Sequence, residues 1–71
     1  MKDVEITMEP VELYKILKFE GLVASGGQAK AAVAGGEVSV NGSVETRKRK
    51  KIVAGDVIEF NNEKMRIRMA G

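Results

Sequence analysis

Apolar and polar residues alternate at the start of the chain, with Val4, Ile6 and Met8 set against Glu5, Thr7 and Glu9. This two-residue period predicts a half-buried strand. Pro10 suits the first position of a helix, and Val11 to Glu20 carries a helical period that Gly21 ends, since a residue without Cβ accepts the left-handed stop. On that helix Leu13, Tyr14 and Leu17 form a core stripe with Ile16 at its edge, while Lys15 and Lys18, three apart, share an outward face. Leu22-Val23-Ala24 makes a tight link to Ser25, the predicted N-cap of a second helix from about Gly26 to Ala34. Ala29, Ala32 and Val33 fall on its inward side, small enough to let the first helix approach closely. Lys30 faces out. Gly35-Gly36 stops the helix.

From there to the end the pattern is that of strands. Glu37 to Val40 and Val44 to Thr46 flank Asn41-Gly42, a hairpin signal because both residues accept positive φ. A three-residue loop, Asn41-Gly42-Ser43, pairs Val40 with Val44 and keeps the valines on one face, so that register is expected. Ile52-Val53 leads through Ala54-Gly55-Asp56 to a strand at Val57 to Phe60. A two-residue Asn61-Asn62 turn then returns the chain as Glu63 to Met69. That turn pairs Ile58 with Met65 and Glu59 with Lys64, placing Ile58, Phe60, Met65, Ile67 and Met69 toward the core and Lys64, Arg66 and Arg68 outward. The elements make an α+β fold: an N-terminal strand and a two-helix motif packed on a small, mostly antiparallel sheet. At 71 residues this is one domain, spanning 1–71, without internal repeat or linker.

Composition narrows the chemistry. The chain has no cysteine and no histidine, which removes thiol nucleophiles, disulfides, imidazole bases and the common zinc sites. Tyr14 and the serines have no activating base nearby in sequence. Gly21 to Gly26 copies the glycine spacing of a phosphate-binding loop, but Gly27-Gln28 stands where that motif needs Lys and Ser or Thr. No alternating Asp/Asn run for calcium is present. No apolar stretch reaches bilayer length, and the charged start is followed by no apolar signal region. The expectation is therefore a cytoplasmic, monomeric, non-catalytic module with no cofactor, no small-molecule substrate and no membrane partner.

The net charge of +2 conceals an uneven distribution. Residues 1–24 hold three Lys against five Asp and Glu, whereas residues 25–71 hold nine Lys and Arg against five acids. Arg47-Lys48-Arg49-Lys50-Lys51 is an unbroken cationic run, and such self-repulsion points to an anionic partner when other features agree. The start of the second helix, Ser25-Gly26-Gly27-Gln28, offers backbone N–H groups with no bulky side chain before them, with Lys30 a turn away. Tyr14 and Phe60 read as core, leaving no stacking platform for single strands, so a folded or double-stranded shape read through its phosphates fits better. Two helices before a hairpin also suit a duplex-DNA reader. Only Gln28 and Lys30 on the second helix could reach base edges, however. A protein-interaction module that applies the basic patch to an acidic or ribosomal partner is the other alternative.

The stretch Ser25-Gly-Gly-Gln-Ala29-Lys30-Ala-Ala-Val33-Ala-Gly-Gly36-Glu-Val38-Ser-Val40-Asn41-Gly42, followed by Gly55-Asp56-Val57-Ile58, resembles the αL RNA-binding domain named after small-subunit ribosomal protein S-four. The resemblance runs from about Val11 to Phe60 and looks closest to stand-alone bacterial members. It implies binding of structured RNA, ribosomal or transfer, by the second helix, the hairpin and the adjoining loop, with the ribosome as a partner. Carried over by position, Lys30 stands where the family has a basic helix residue, Gln28 just precedes it, and Asn41-Gly42 forms the hairpin tip. Gly26, Ala31 and Ala34 stand where many members have further Arg or Lys, a deficit that the run from Arg47 to Lys51 can offset. The expected RNA-binding residues are thus Lys15, Lys18, Gln28, Lys30, Asn41, Arg47, Lys48, Arg49, Lys50 and Lys51.

Overall fold

The computed structural model describes residues 1–70. In chain order its elements are β1 (Lys2–Ile6), β2 (Val11–Glu12), α1 (Leu13–Phe19), α2 (Gly26–Ala34), β3 (Val38–Val40), β4 (Ser43–Val44), β5 (Lys51–Ile52), β6 (Val57–Phe60) and β7 (Glu63–Met69). Five strands form a sheet in the order β1-β7-β6-β3-β4, and β2 pairs with β5 in a separate two-stranded sheet. Only β1 joins in parallel, beside β7, so the fold is the expected α+β arrangement of two helices on a mostly antiparallel sheet. Leu13, Ile16 and Leu17 of α1 and Ala29, Ala32 and Val33 of α2 are buried with Val4, Val38, Ile58, Met65 and Ile67 of the sheet in one core.

Both helices end in the same way. Gly21 takes φ 71° and donates to the Lys18 carbonyl at 3.1 Å, while Leu22 N–H reaches the Leu17 carbonyl at 3.1 Å. Gly36 takes φ 78° and donates to Val33, and Glu37 N–H reaches Ala32. These paired bonds are Schellman stops, which satisfy the last carbonyls of each helix.

The start of α1 departs from the sequence expectation. Pro10 is not its first residue. Val11 and Glu12 pair with Ile52 and Lys51 as β2, and a backbone committed to that ladder cannot also enter the helix, so α1 begins at Leu13. Its N-cap position, Glu12, supplies no side-chain cap. The first N–H groups are satisfied instead from far along the chain, where Leu13 donates to the Lys50 carbonyl at 2.9 Å and Tyr14 to the Lys48 carbonyl at 3.2 Å.

The hairpin register also differs. Asn41 and Gly42 take φ 53° and 87°, a two-residue turn that pairs Val40 with Ser43 and Ser39 with Val44. The expected Val40–Val44 pair does not form, and Val44 is 63% exposed. Two successive positive-φ residues give the turn whose twist matches the flanking strands, and this outweighs one valine in a two-residue edge strand. Val44 instead covers the end of α2, its Cγ1 lying 3.7 Å from where a Cβ on Gly36 would stand. At the other hairpin Asn61 and Asn62 both take positive φ, and Ile58 pairs with Met65 and Glu59 with Lys64 as expected.

Two core assignments fail at strand ends. Met8 lies beyond β1 and is 68% exposed, and Met69, the last residue of β7, is 40% exposed. Alternation specifies a face only while a neighbouring element covers it.

Candidate nucleic-acid interface

The helices align the cations that the sequence separates. Tyr14 and Lys18 stand one turn apart on α1, and Gly26 and Lys30 stand one turn apart on α2. Lys30 Nζ lies 4.9 Å from the Tyr14 ring centroid, and Lys18 Cδ lies 4.0 Å from where a Cβ on Gly26 would be. The two contacts run in opposite senses along the two helices, so this face of the pair is antiparallel and matched turn for turn. A Cβ at Gly26 would meet Lys18 only at ordinary van der Waals distance, so the lysine side chain lies over the start of α2.

Tyr14, expected in the core, packs against it and also borders the cations. Its apolar body packs against the core, but it is only half-buried, and its ring face is the seat of Lys30. Cation–π attraction holds the ammonium near the ring while leaving its hydrogens free for an anion. Lys15 Nζ lies farther from the same ring, at 6.0 Å, and pairs with Glu12 at 3.3 Å. The signal available in the sequence was the i,i+4 spacing of Tyr14 and Lys18 together with the dual character of tyrosine, an apolar ring with a polar tip.

The cationic run is anchored where it begins to matter. Carbonyls of Lys48 and Lys50 cap α1, Lys51 is paired in β5 with Glu12, and Ile52 is fully buried. The backbone therefore faces the helix end while Lys48, Arg49 and Lys51 are exposed and Lys50 is half-buried. The bonds from Leu13 and Tyr14 to the loop carbonyls set the backbone of the run at the N-terminal end of α1, next to the residue whose ring seats Lys30.

Not every cation in the run is equally free. Arg47 folds back on Glu45, with Nε donating to Oε2 at 3.0 Å, Nη2 to Oε1 at 3.2 Å, and the Arg47 backbone N–H to Oε2 at 2.9 Å. The side-chain bonds, and then the backbone bond, hold the Glu45 carboxyl down at about 2, and the same contact raises Arg47 above its ordinary value. Arg49 Nε is 3.9 Å from Glu12. Among the described residues Lys18, Lys30, Lys48, Lys50 and Lys51 form no ion pair.

Two further expected contacts are engaged in the fold, Asn41 through both side-chain polar atoms and Gln28 through its oxygen. Gln28 is tied into the start of α2: its N–H donates to the N-cap Ser25 Oγ at 3.2 Å, and its Oε1 accepts from the N–H of Ala24, the residue before the cap, at 2.8 Å. The first helical bond, from Ala29 N–H to the Ser25 carbonyl at 3.1 Å, leaves Gly26 and Gly27 at the open N-terminal end. Asn41 Nδ2 donates to Asp56 Oδ1 at 3.0 Å, and Asn41 Oδ1 accepts from Val57 N–H at 2.9 Å. Its side chain holds the hairpin tip to the β5–β6 turn. No cluster of three or more metal-ligating side chains occurs among the described residues, and no described helix is long and apolar enough to cross a membrane.

Comparison with known proteins agrees with this architecture. YbcJ of Escherichia coli (strain K12), a protein named for RNA binding, is 53% identical over 57 residues, covering 80% of this chain and 81% of YbcJ. A protein of Bacillus subtilis (strain 168) named for ribosome maturation, RlbA, is 36% identical over 57 residues, 80% of each chain. The solution structure of E. coli YbcJ, described as containing an αL motif involved in RNA binding, superposes with a TM-score of 0.72 at 45% identity, covering 96% of this chain and 87% of that one. The S4 domain profile matches residues 4–68. With the two-helix motif, the Asn41–Asp56 clasp and the strand order in place, the chain belongs to the S4 domain family.

Proposed function

We propose that this protein binds structured RNA of the ribosomal or transfer class, without catalysis, through the strip formed by Lys18, Lys30, Lys48, Lys50 and Lys51, and that it does so as a cytoplasmic monomer in association with the ribosome. The observation that carries this reading is the pairing of Tyr14 with Lys30 and of Lys18 with Gly26, beside a loop whose carbonyls cap α1. Lys18, Lys30, Lys48, Lys50 and Lys51, all on these elements, form no ion pair among the described residues, which supports the reading. The names of YbcJ and RlbA support the RNA and the ribosomal parts of the reading respectively.

Lys15, Arg47 and Arg49 stand at the margin of the strip, and their existing carboxylate partners must be released before they can meet phosphate. Gln28 and Asn41 contribute by shaping the α2 N-terminus and the hairpin tip. Five phosphate contacts give a slope of roughly −3.5 to −4.5 when log K is plotted against log salt concentration. Titrating an RNA stem-loop across a salt series tests this, and a flat response overturns it. Equal competition by duplex DNA of the same length would favour the DNA-reading alternative. Association with ribosomes that survives nuclease treatment would favour a protein partner.

A further inference from the structure

A second surface lies on the other side of α1 and has a different character. A groove of about 570 Å³ runs between β1 and α1. Its apolar lining includes Ile6, Met8, Val11, Ile16 and Phe19, of which Phe19 is 71% and Met8 68% exposed. A phenylalanine so open to water, with an exposed methionine lining the same groove, is an unpartnered apolar patch. Every residue from Val4 to Met8 lines the groove, although successive strand residues point to opposite faces. The groove therefore meets β1 along its edge. β1 is the terminal strand of the sheet, so that edge has backbone groups free to pair with another strand.

The charges select the occupant. Glu5, Glu12 and Glu20 line the groove against a single cation, Lys15. Lys15 and Glu12 offset each other at 3.3 Å, Glu20 meets Lys2 at 3.2 Å, and Glu5 has no ion pair among the described residues. Of the lining charges only Glu5 is left without an ion pair, so the groove offers phosphate no free cation and offers a cation one free carboxylate. A second copy is disfavoured as well: pairing β1 with itself about Val4 sets Asp3 opposite Glu5 on both sides, and like charges directly opposite are destabilising.

We propose that this groove is a docking site for an extended basic segment of a protein partner, one that alternates Lys or Arg with Val, Ile or Leu. The segment adds a strand to the free edge of β1, places its apolar side chains against Phe19 and Ile16, and sets a cation beside Glu5. The site is separate from the basic strip, and RNA and the basic segment can be held at the same time on opposite sides of α1.

The test uses the whole chain and two synthetic peptides, one alternating Lys/Arg with Val/Ile and one alternating Glu with Val/Ile, followed by amide NMR shifts. The basic peptide is expected to move amides of β1 and of α1 around Ile16 and Phe19, leaving those of α2 near Lys30 in place. Phe19→Gln, at an exposed position, weakens this binding about tenfold or more while leaving stem-loop RNA binding unchanged. Glu5→Lys weakens it and leaves the fold intact. The proposal is overturned by an absence of shifts, by equal binding of the acidic peptide, or by groove amides that respond to RNA. Self-association that Phe19→Gln abolishes in sedimentation velocity overturns it in favour of a second copy. None of these outcomes bears on the salt dependence of RNA binding, so the two readings fail separately.

Discussion

Asn41 and Asp56 are clasped across the fold: Asn41 Nδ2 donates to Asp56 Oδ1 at 3.0 Å, and the other Asp56 oxygen accepts from Val53 N–H at 3.0 Å. With Val57 N–H bonded to Asn41 Oδ1 and Asn41 N–H bonded to the Val57 carbonyl at 2.7 Å, the hairpin tip and the β5–β6 turn become one unit. The V-N-G and G-D-V stretches of the sequence meet in this contact. Asn at position 41 does two things at once, since it tolerates φ 53° and supplies both a donor and an acceptor.

Asn41→Ala is accordingly expected to lower stability by about 1–2 kcal/mol, through lost hydrogen bonds and a side chain less suited to positive φ. A domain of this size then melts roughly 4–8 °C lower per kcal/mol. Asn41→Asp keeps the acceptor for Val57 but sets a second carboxylate against Asp56. Like charges at that distance raise the carboxyl pKa values, so the variant is weak at neutral pH and gains stability as the pH falls toward about 4 and a proton is taken up. Thermal melts at the two pH values measure both effects, and a variant indifferent to pH would show that the clasp is not formed.

Lys30 and Tyr14 are expected to act as a pair in the proposed RNA binding. Lys30→Gln removes one phosphate contact, so the salt slope is expected to shrink by about 0.7–0.9. Tyr14→Leu keeps the apolar packing and removes only the ring that seats the ammonium, which lowers affinity by a factor of about 2–5 with little change in slope. Titration of a stem-loop at several salt concentrations separates the two signatures.

Glu45 restrains Arg47 and gives the loop a pH response. Its carboxyl titrates near 2, below the ordinary value of 4.5, so the folded state favours the ionised form. The stabilisation is complete above about 4.5, and it is lost as the pH falls from there through about 2. A carboxyl-carbon NMR titration of Glu45 should find its midpoint near 2. Glu45→Gln releases Arg47 to the RNA, and the salt slope is expected to steepen by about 0.7–0.9.

The hairpin register has a mutational signature. Val44→Thr, at an exposed site, changes stability by no more than about 0.5 kcal/mol. Val40→Thr places a hydroxyl in a buried position of β3 and costs about 1–3 kcal/mol. A three-residue loop would make the two valines equivalent, so comparing their denaturant midpoints distinguishes the registers.

Local chemistry alone determined much of this protein. Ser25 with Gln28, Gly21, Gly36, Asn41-Gly42 and Asn61-Asn62 fix helix ends and turns within a few residues of themselves. The apolar periods of α1, α2, β6 and β7 name most of the core, and the lack of His and Cys narrows the chemistry. What only the tertiary structure decided depends on partners distant in sequence. The β2–β5 ladder moves the start of α1 from Pro10 to Leu13, and the carbonyls of Lys48 and Lys50 cap a helix more than thirty residues earlier. The antiparallel match of α1 with α2 turns Tyr14 from a core residue into the seat of Lys30. Charge is legible residue by residue, but whether a cation is free or neutralised depends on which carboxylate folding brings beside it: Glu45 takes Arg47, and no carboxylate takes Lys30.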